Sequence, residues 1–186
     1  MIIDNAVRLS TRQAWREWLS EHHQVQPYCW LITAKNDPIS YLDIVEEALC
    51  FGWIDSTRKR MGEHQTGQRF SPRRKNSSWT ELNKERVRRL DRLGLMTEAG
   101  MSVLPEMGPG SFVIQEDILQ RLKQDEELYS NFQALPELYV RIRIDNIQSV
   151  EKDVALYTSR LDKFIAHTRA NKMYGQWHDE GRLLEG

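Results

Sequence analysis

The chain has 186 residues, of which 40% are apolar and 28% charged, with a formal net charge of -1 at pH 7. That is enough apolar material for a packed core, which excludes a disordered chain, and the near-neutral total excludes a polycation acting through its overall charge. There is no long uncharged apolar run and no basic-then-apolar leader, and Cys29 and Cys50 are too few for a disulfide framework; the expectation is a cytoplasmic protein without a membrane span.

Residues 7–9 read as a short extended segment. A first helix follows, with Ser10 as cap, Gln13 at the capping-box position, and Trp15, Trp18 and Leu19 on one face. The β-prone run 28–33 reads as a central strand and Lys35-Asn36-Asp37-Pro38 as a turn. Ser40 and Asp43 announce a second helix with an apolar stripe of Tyr41, Ile44, Val45, Ala48 and Leu49. Its Glu46 and Glu47 then fall on the solvent side, and Gly52 stands where a left-handed C-cap is expected.

Residues 53–61 and 68–70 read as an antiparallel hairpin around the loop 62–67. Strict alternation places Ile54, Ser56, Arg58 and Arg60 on one face and Trp53, Asp55, Thr57 and Lys59 on the other. A basic loop, 72–77, leads to a third helix capped by Ser78, with Leu82, Val87, Leu90 and Leu93 inward and Gly94 at its end. Thr97 caps a short helix. After Gly108-Pro109-Gly110, a linker signal, the pattern is helical over 117–123, 126–133, 137–144 and 150–170, with Leu156, Leu161, Phe164 and Ile165 at helical spacing in the last. The predicted fold class is α+β: a small, mainly antiparallel sheet with packed helices in 1–107, a helical C-terminal module in 111–173, and a loosely ordered tail in 174–186.

Charge is concentrated. Residues 58–92 hold twelve Lys or Arg against four Asp or Glu, a local excess of eight that leaves the remainder at -9. Arg58, Lys59 and Arg60 lie on one strand, Arg69 on its partner, Arg73, Arg74 and Lys75 in the next loop, and Trp79 at the following helix start. Arginine forks suit phosphate or carboxylate, and Trp53, Phe70 and Trp79 are candidates for stacking on a ring. The competing reading is a solvated helix face and charges that protect an edge strand. Asp55 either pairs with a neighbouring cation or takes part in chemistry. Gly62-Glu63-His64-Gln65-Thr66-Gly67 resembles the start of a phosphate loop, but Gln68 and Arg69 replace its Lys and Ser/Thr. Cys50 with His64 as base is the nucleophile candidate, against a buried core thiol. The histidines form no zinc-ligand spacing with either Cys or with each other, so no metal site is expected; no cofactor is expected either.

The segments Ala14-Trp15-Arg16-Glu17-Trp18-Leu19, Glu46-Glu47-Ala48-Leu49-Cys50-Phe51-Gly52-Trp53-Ile54-Asp55 and Gln68-Arg69-Phe70-Ser71-Pro72-Arg73, with Ser78, Trp79, Asn83 and Arg86, resemble the bacterial YdeI/OmpD-associated family, often labelled bacteriocin-protection protein. The resemblance is close over residues 11–100 and weaker over 115–172, where the final helix carries Glu151, Asp153 and Asp162 in place of the family's Lys/Arg-rich pattern. It implies a link to tolerance of antimicrobial peptides or bacteriocins, and in name to an outer-membrane porin. It implies no reaction, cofactor or catalytic residue.

The reading that results is a non-enzymatic stress or bacteriocin-protection-type protein. It binds an anionic small molecule, nucleic acid or acidic protein surface through Trp53, Asp55, Arg58, Lys59, Arg69, Ser71, Arg73, Arg74 and Trp79. Two alternatives stand beside it: an enzyme with a site near Cys50, Asp55, His64 and the arginines, and a helical scaffold acting through the C-terminal module.

Overall fold

A computed structural model describes residues 4–108 and 110–184, so Pro109 of the expected linker and the first three residues lie outside the described residues. The chain divides into two compact units: one formed by residues up to Ser78 together with Arg86–Pro105, the other by Trp79–Glu85 and the chain from Glu106 onward. The first unit holds β1 (Ala6–Arg8), α1 (Arg12–His22), β2 (Cys29–Ala34), α2 (Tyr41–Cys50), β3 (Trp53–Arg60), β4 (Gln65–Pro72), most of α3 (Glu81–Arg92) and the short α4 (Glu98–Met101). The second holds the start of α3 and α5 (Glu116–Lys123), α6 (Glu126–Gln133), α7 (Glu137–Gln148) and α8 (Val154–Arg169). The protein is therefore α+β, with a four-stranded mixed sheet, its helices, and a helical C-terminal region.

The strand order is β1-β2-β4-β3; β1 runs parallel to β2, and the other pairings are antiparallel. Registers that pair Cys29 with Phe70 and Leu31 with Gln68 bring these side chains to one face. α1 and α2 cover that face. The Trp15 ring lies 5.4 Å from that of Phe70 and its Nε1 donates to the Ile44 carbonyl at 3.0 Å, while the Trp18 ring meets Trp53 edge-on at 5.9 Å.

Local capping follows the sequence closely at α2. Ser40 accepts from the Asp43 amide and Asp43 accepts in return from the Ser40 amide, a complete capping box. Gly52 at φ +71 ends the helix, as does Gly94 at φ +67 for α3. Two caps differ from expectation. Thr11, not Ser10, accepts from the Ala14 amide, and Thr80, not Ser78, accepts from the Asn83 amide. In both cases a neighbouring hydroxyl sits where the third amide of the helix is within reach. Leu93, expected inside, follows the last residue of α3 and is 55% exposed, whereas Val87 and Leu90 within the helix are buried.

The largest departure concerns α2. Glu46 and Glu47, placed in solvent by periodicity, are 1% and 2% exposed. Glu47 accepts from Arg12 Nε at 2.6 Å and Arg16 Nη1 at 2.7 Å; Glu46 accepts from Arg12 Nη1 at 2.8 Å and Arg89 Nη1 at 3.1 Å. Burial opposes the charge on Arg12, but the two carboxylates outweigh it and hold its guanidinium more firmly protonated than usual.

In the second unit, Ile118, Leu122, Leu128, Tyr139, Ile144, Leu161 and Phe164 form a core. Of the tail, expected to be loose, the last two residues lie outside the described residues, and the part over 174–184 packs on this core. Trp177 is buried edge-on against Tyr139 at 5.5 Å, and Tyr174 lies under the Arg143 guanidinium at 4.9 Å. A 3-10 segment, Asp179–Leu184, follows with Leu183 buried. Aromatic area at Tyr174 and Trp177 outweighs the tail's polar composition. Leu156, expected in the apolar repeat of α8, is exposed.

Candidate functional site

The β3–β4 hairpin carries most of the residues singled out by sequence, and a bulge decides where they point. Asp55 pairs with Phe70, yet Arg58 pairs with Gln68, so β3 spends three residues where β4 spends two. One extra residue reverses the alternation. Arg58 and Arg60 thus join Trp53 and Asp55 on the helix-covered face, and Lys59 moves to the opposite face with Arg69. The strict alternation expected from sequence is corrected accordingly.

The opposite face uses its cations to cover aromatics. Lys59 Nζ sits 5.0 Å from the Trp30 ring and the Arg69 guanidinium 4.4 Å from the Tyr28 ring. Gly67, between them in the sheet, allows this packing: an added Cβ would lie 3.3 Å from Met61 and 3.5 Å from the Trp30 ring. The Gly62 to Gly67 stretch is the hairpin tip and the start of β4, not a loop between strand and helix.

Arg73 is buried, with Nη1 donating to the Ser78 carbonyl at 3.2 Å; burial lowers its pKa to about 10, opposed by the charge of Asp55. Arg74 is exposed in the following turn, and Ser71 pairs with Ile54 on the Arg69 side of the sheet. Trp53 is 1% exposed, its Nε1 donating to the His23 carbonyl, and Phe70 is fully buried, so neither ring is available for stacking on a ligand. Trp79 belongs to the second unit. Within the first unit, then, Arg58 and Arg69 lie on opposite faces of the sheet and Arg73 is buried.

What the fold does assemble is a cleft of about 640 Å³ between the hairpin tip, the end of β2 and the start of α2. Lys35, Arg58, Arg60 and His64 line it, with Glu63 as the one carboxylate in the lining. The walls are tied together by the Lys35 amide, which donates to the His64 carbonyl at 2.9 Å. Arg60 is anchored to the tip, Nε donating to the Gly62 carbonyl at 3.0 Å. The Arg58 side chain is exposed and makes no hydrogen bond or ion pair among the described residues, so its donors face the cleft unspent. Beside the cleft, Asp55 Oδ2 accepts from the Tyr41 hydroxyl at 2.9 Å and from Gln68 Nε2 at 3.2 Å. Burial, then the Asp55 charge, pushes the Tyr41 phenol up to about 12.

Sequence reasoning placed Arg58 and Asp55 at the site but missed Lys35, Tyr41 and Gln68. Tyr41 reads as a member of the apolar stripe, and no local signal brings the 35–38 turn to the hairpin tip. Cys50 is fully buried, and its thiol is pushed up to about 11 by burial first and by the Glu47 charge second. Among the described residues no group of three or more His, Cys, Asp or Glu could hold a metal, and no helix is long and apolar enough to cross a membrane.

The architecture defines a two-part protein, a sheet-and-helix unit bearing a cationic cleft and a helical unit. The chain belongs to the family described as a domain of unknown function, DUF8412, whose sequence model matches residues 7–103. Residues 111–171 match the family described as Bacteriocin-protection, YdeI or OmpD-Associated. The bacteriocin-protection family suggested by the sequence is thus found, with its match on the helical region, while the motifs of residues 11–100 fall in the other family's span. No curated protein and no solved structure matches the chain.

Proposed function

We propose that the protein is a non-enzymatic, bacteriocin-protection-type protein of the cytoplasm that binds a small anionic ligand in the cleft at the hairpin tip. The observation that carries this reading is Arg58: an uncommitted guanidinium at a cleft of small-molecule size, beside Lys35 and Arg60. Charge-assisted bonds from a guanidinium to phosphate or carboxylate are among the stronger polar contacts. A small anion is favoured over a nucleic acid or an acidic protein surface because the hairpin's cations are divided between two faces of the sheet and offer no single stripe. Burial of the Cys50 thiol weighs against the enzyme alternative built on that nucleophile.

Titration with inorganic phosphate, followed by backbone NMR shifts, tests the reading. Perturbations should centre on Arg58, Arg60 and Lys35. Arg58→Gln should weaken binding about tenfold, the loss of one charge-assisted contact, while Arg74→Gln leaves it within about twofold. Equal affinity for the wild type and Arg58→Gln would overturn the cleft as the site. Tighter binding of a short oligonucleotide than of phosphate, lost steeply with salt and equal in both variants, would point to a polyanion instead.

A further inference from the structure

We infer that the ligand of this cleft is an aromatic anion, a planar ring carrying a phosphate or carboxylate, with the Tyr41 ring as its stacking platform. The inference rests on the anion-site reading above and goes beyond it by naming what the anionic group is attached to.

Three observations carry it. Tyr41 lines the cleft yet is 48% exposed, unusual for an aromatic that the sequence pattern places in an apolar stripe. Its ring is not free to turn away, because its hydroxyl is held by Asp55 at 2.9 Å and Asp55 is held in turn by Gln68. A ring fixed before the ligand arrives gives up little entropy on stacking. Beside it the wall is apolar, with Ile39 and Ile44, whereas the cations Arg58, Arg60 and Lys35 belong to the hairpin and the end of β2. The cleft therefore has a ring-accepting part and an anion-accepting part. At about 640 Å³ it has room for both moieties and would be mostly unfilled by an inorganic anion. Burial removes Trp53 from the stacking role that sequence suggested for it, and at this cleft Tyr41 takes that role.

Phenyl phosphate and methyl phosphate carry the same anionic group and differ in the ring. Binding of each to the full-length protein, by NMR titration, should show phenyl phosphate about tenfold tighter, the worth of one stacking contact. Ring-current shifts should appear at Tyr41. Tyr41→Phe should keep most of that preference and Tyr41→Ala should remove it. Arg58→Gln should weaken both probes alike. If both esters bind equally and Arg58→Gln weakens both, the stacking inference is overturned and the anion site stands. If neither binds, both readings fall. The wild-type ratio decides the matter even if Tyr41→Ala does not fold.

Discussion

Replacing Glu47 by Gln removes a charge at nearly constant volume from the buried ion-pair cluster of the first unit. The carboxylate is 2% exposed and accepts from Arg12 at 2.6 Å and Arg16 at 2.7 Å. Each charge-assisted bond contributes about 1.5–3 kcal/mol, so a fully dry site would lose about 3–6 kcal/mol. The two arginine side chains are 33% and 29% exposed and can recover water, which roughly halves the loss, to about 1.5–3 kcal/mol. With a urea dependence of about 2 kcal/mol per molar, the midpoint for this unit falls by about 0.75–1.5 M. Two units need not unfold together, so the readout is urea-dependent hydrogen exchange in peptides of α1 and α2. Glu17→Gln, on the exposed side of α1, is the reference and should shift the midpoint by less than about 0.3 M. If Glu47→Gln shifts no more than Glu17→Gln, Glu47 faces water as simple helical periodicity implies, and the buried network is refuted.

Gly100→Ala should destabilise the first unit by about 1–3 kcal/mol despite alanine's better helix propensity, because the new Cβ runs into the Cys50 carbonyl, which Thr97 Oγ1 already uses at 2.6 Å; a gain in thermal stability would contradict that packing. Burial pushes Cys50 up to about 11 and Cys29 up to about 12, so thiolate appears only at high pH. A thiol reagent at neutral pH should therefore label neither until denaturant is added, with labelling rising as pH climbs; rapid native labelling would restore the nucleophile reading. Gly175→Ala places a methyl group 2.8 Å from Arg143 Nη2 at φ +68, so Trp177 emission should shift to the red as the tail loosens; an unchanged spectrum would show that the tail does not depend on this turn.

Much of the local structure was legible before any coordinates. Ser40 with Asp43, Thr97, and the glycines at 52 and 94 were found because capping and left-handed termini depend on groups within about four residues of one another. The α+β class and the helical region after Gly108 followed from apolar period alone. The sequence also identified Arg58 and Asp55 as residues to examine, since charge density needs no knowledge of the fold.

The tertiary structure decided which way those residues face. A single extra residue in β3, visible only through its pairing with β4, sends Arg58 toward the cleft and Lys59 to the other side. Glu46 and Glu47 are buried because arginines 31 to 43 positions away in the chain meet them. Tyr41 becomes a half-exposed ring because Asp55, fourteen residues on, holds its hydroxyl. Composition and period describe each segment against water, whereas burial and direction are set by whatever distant segment takes the water's place.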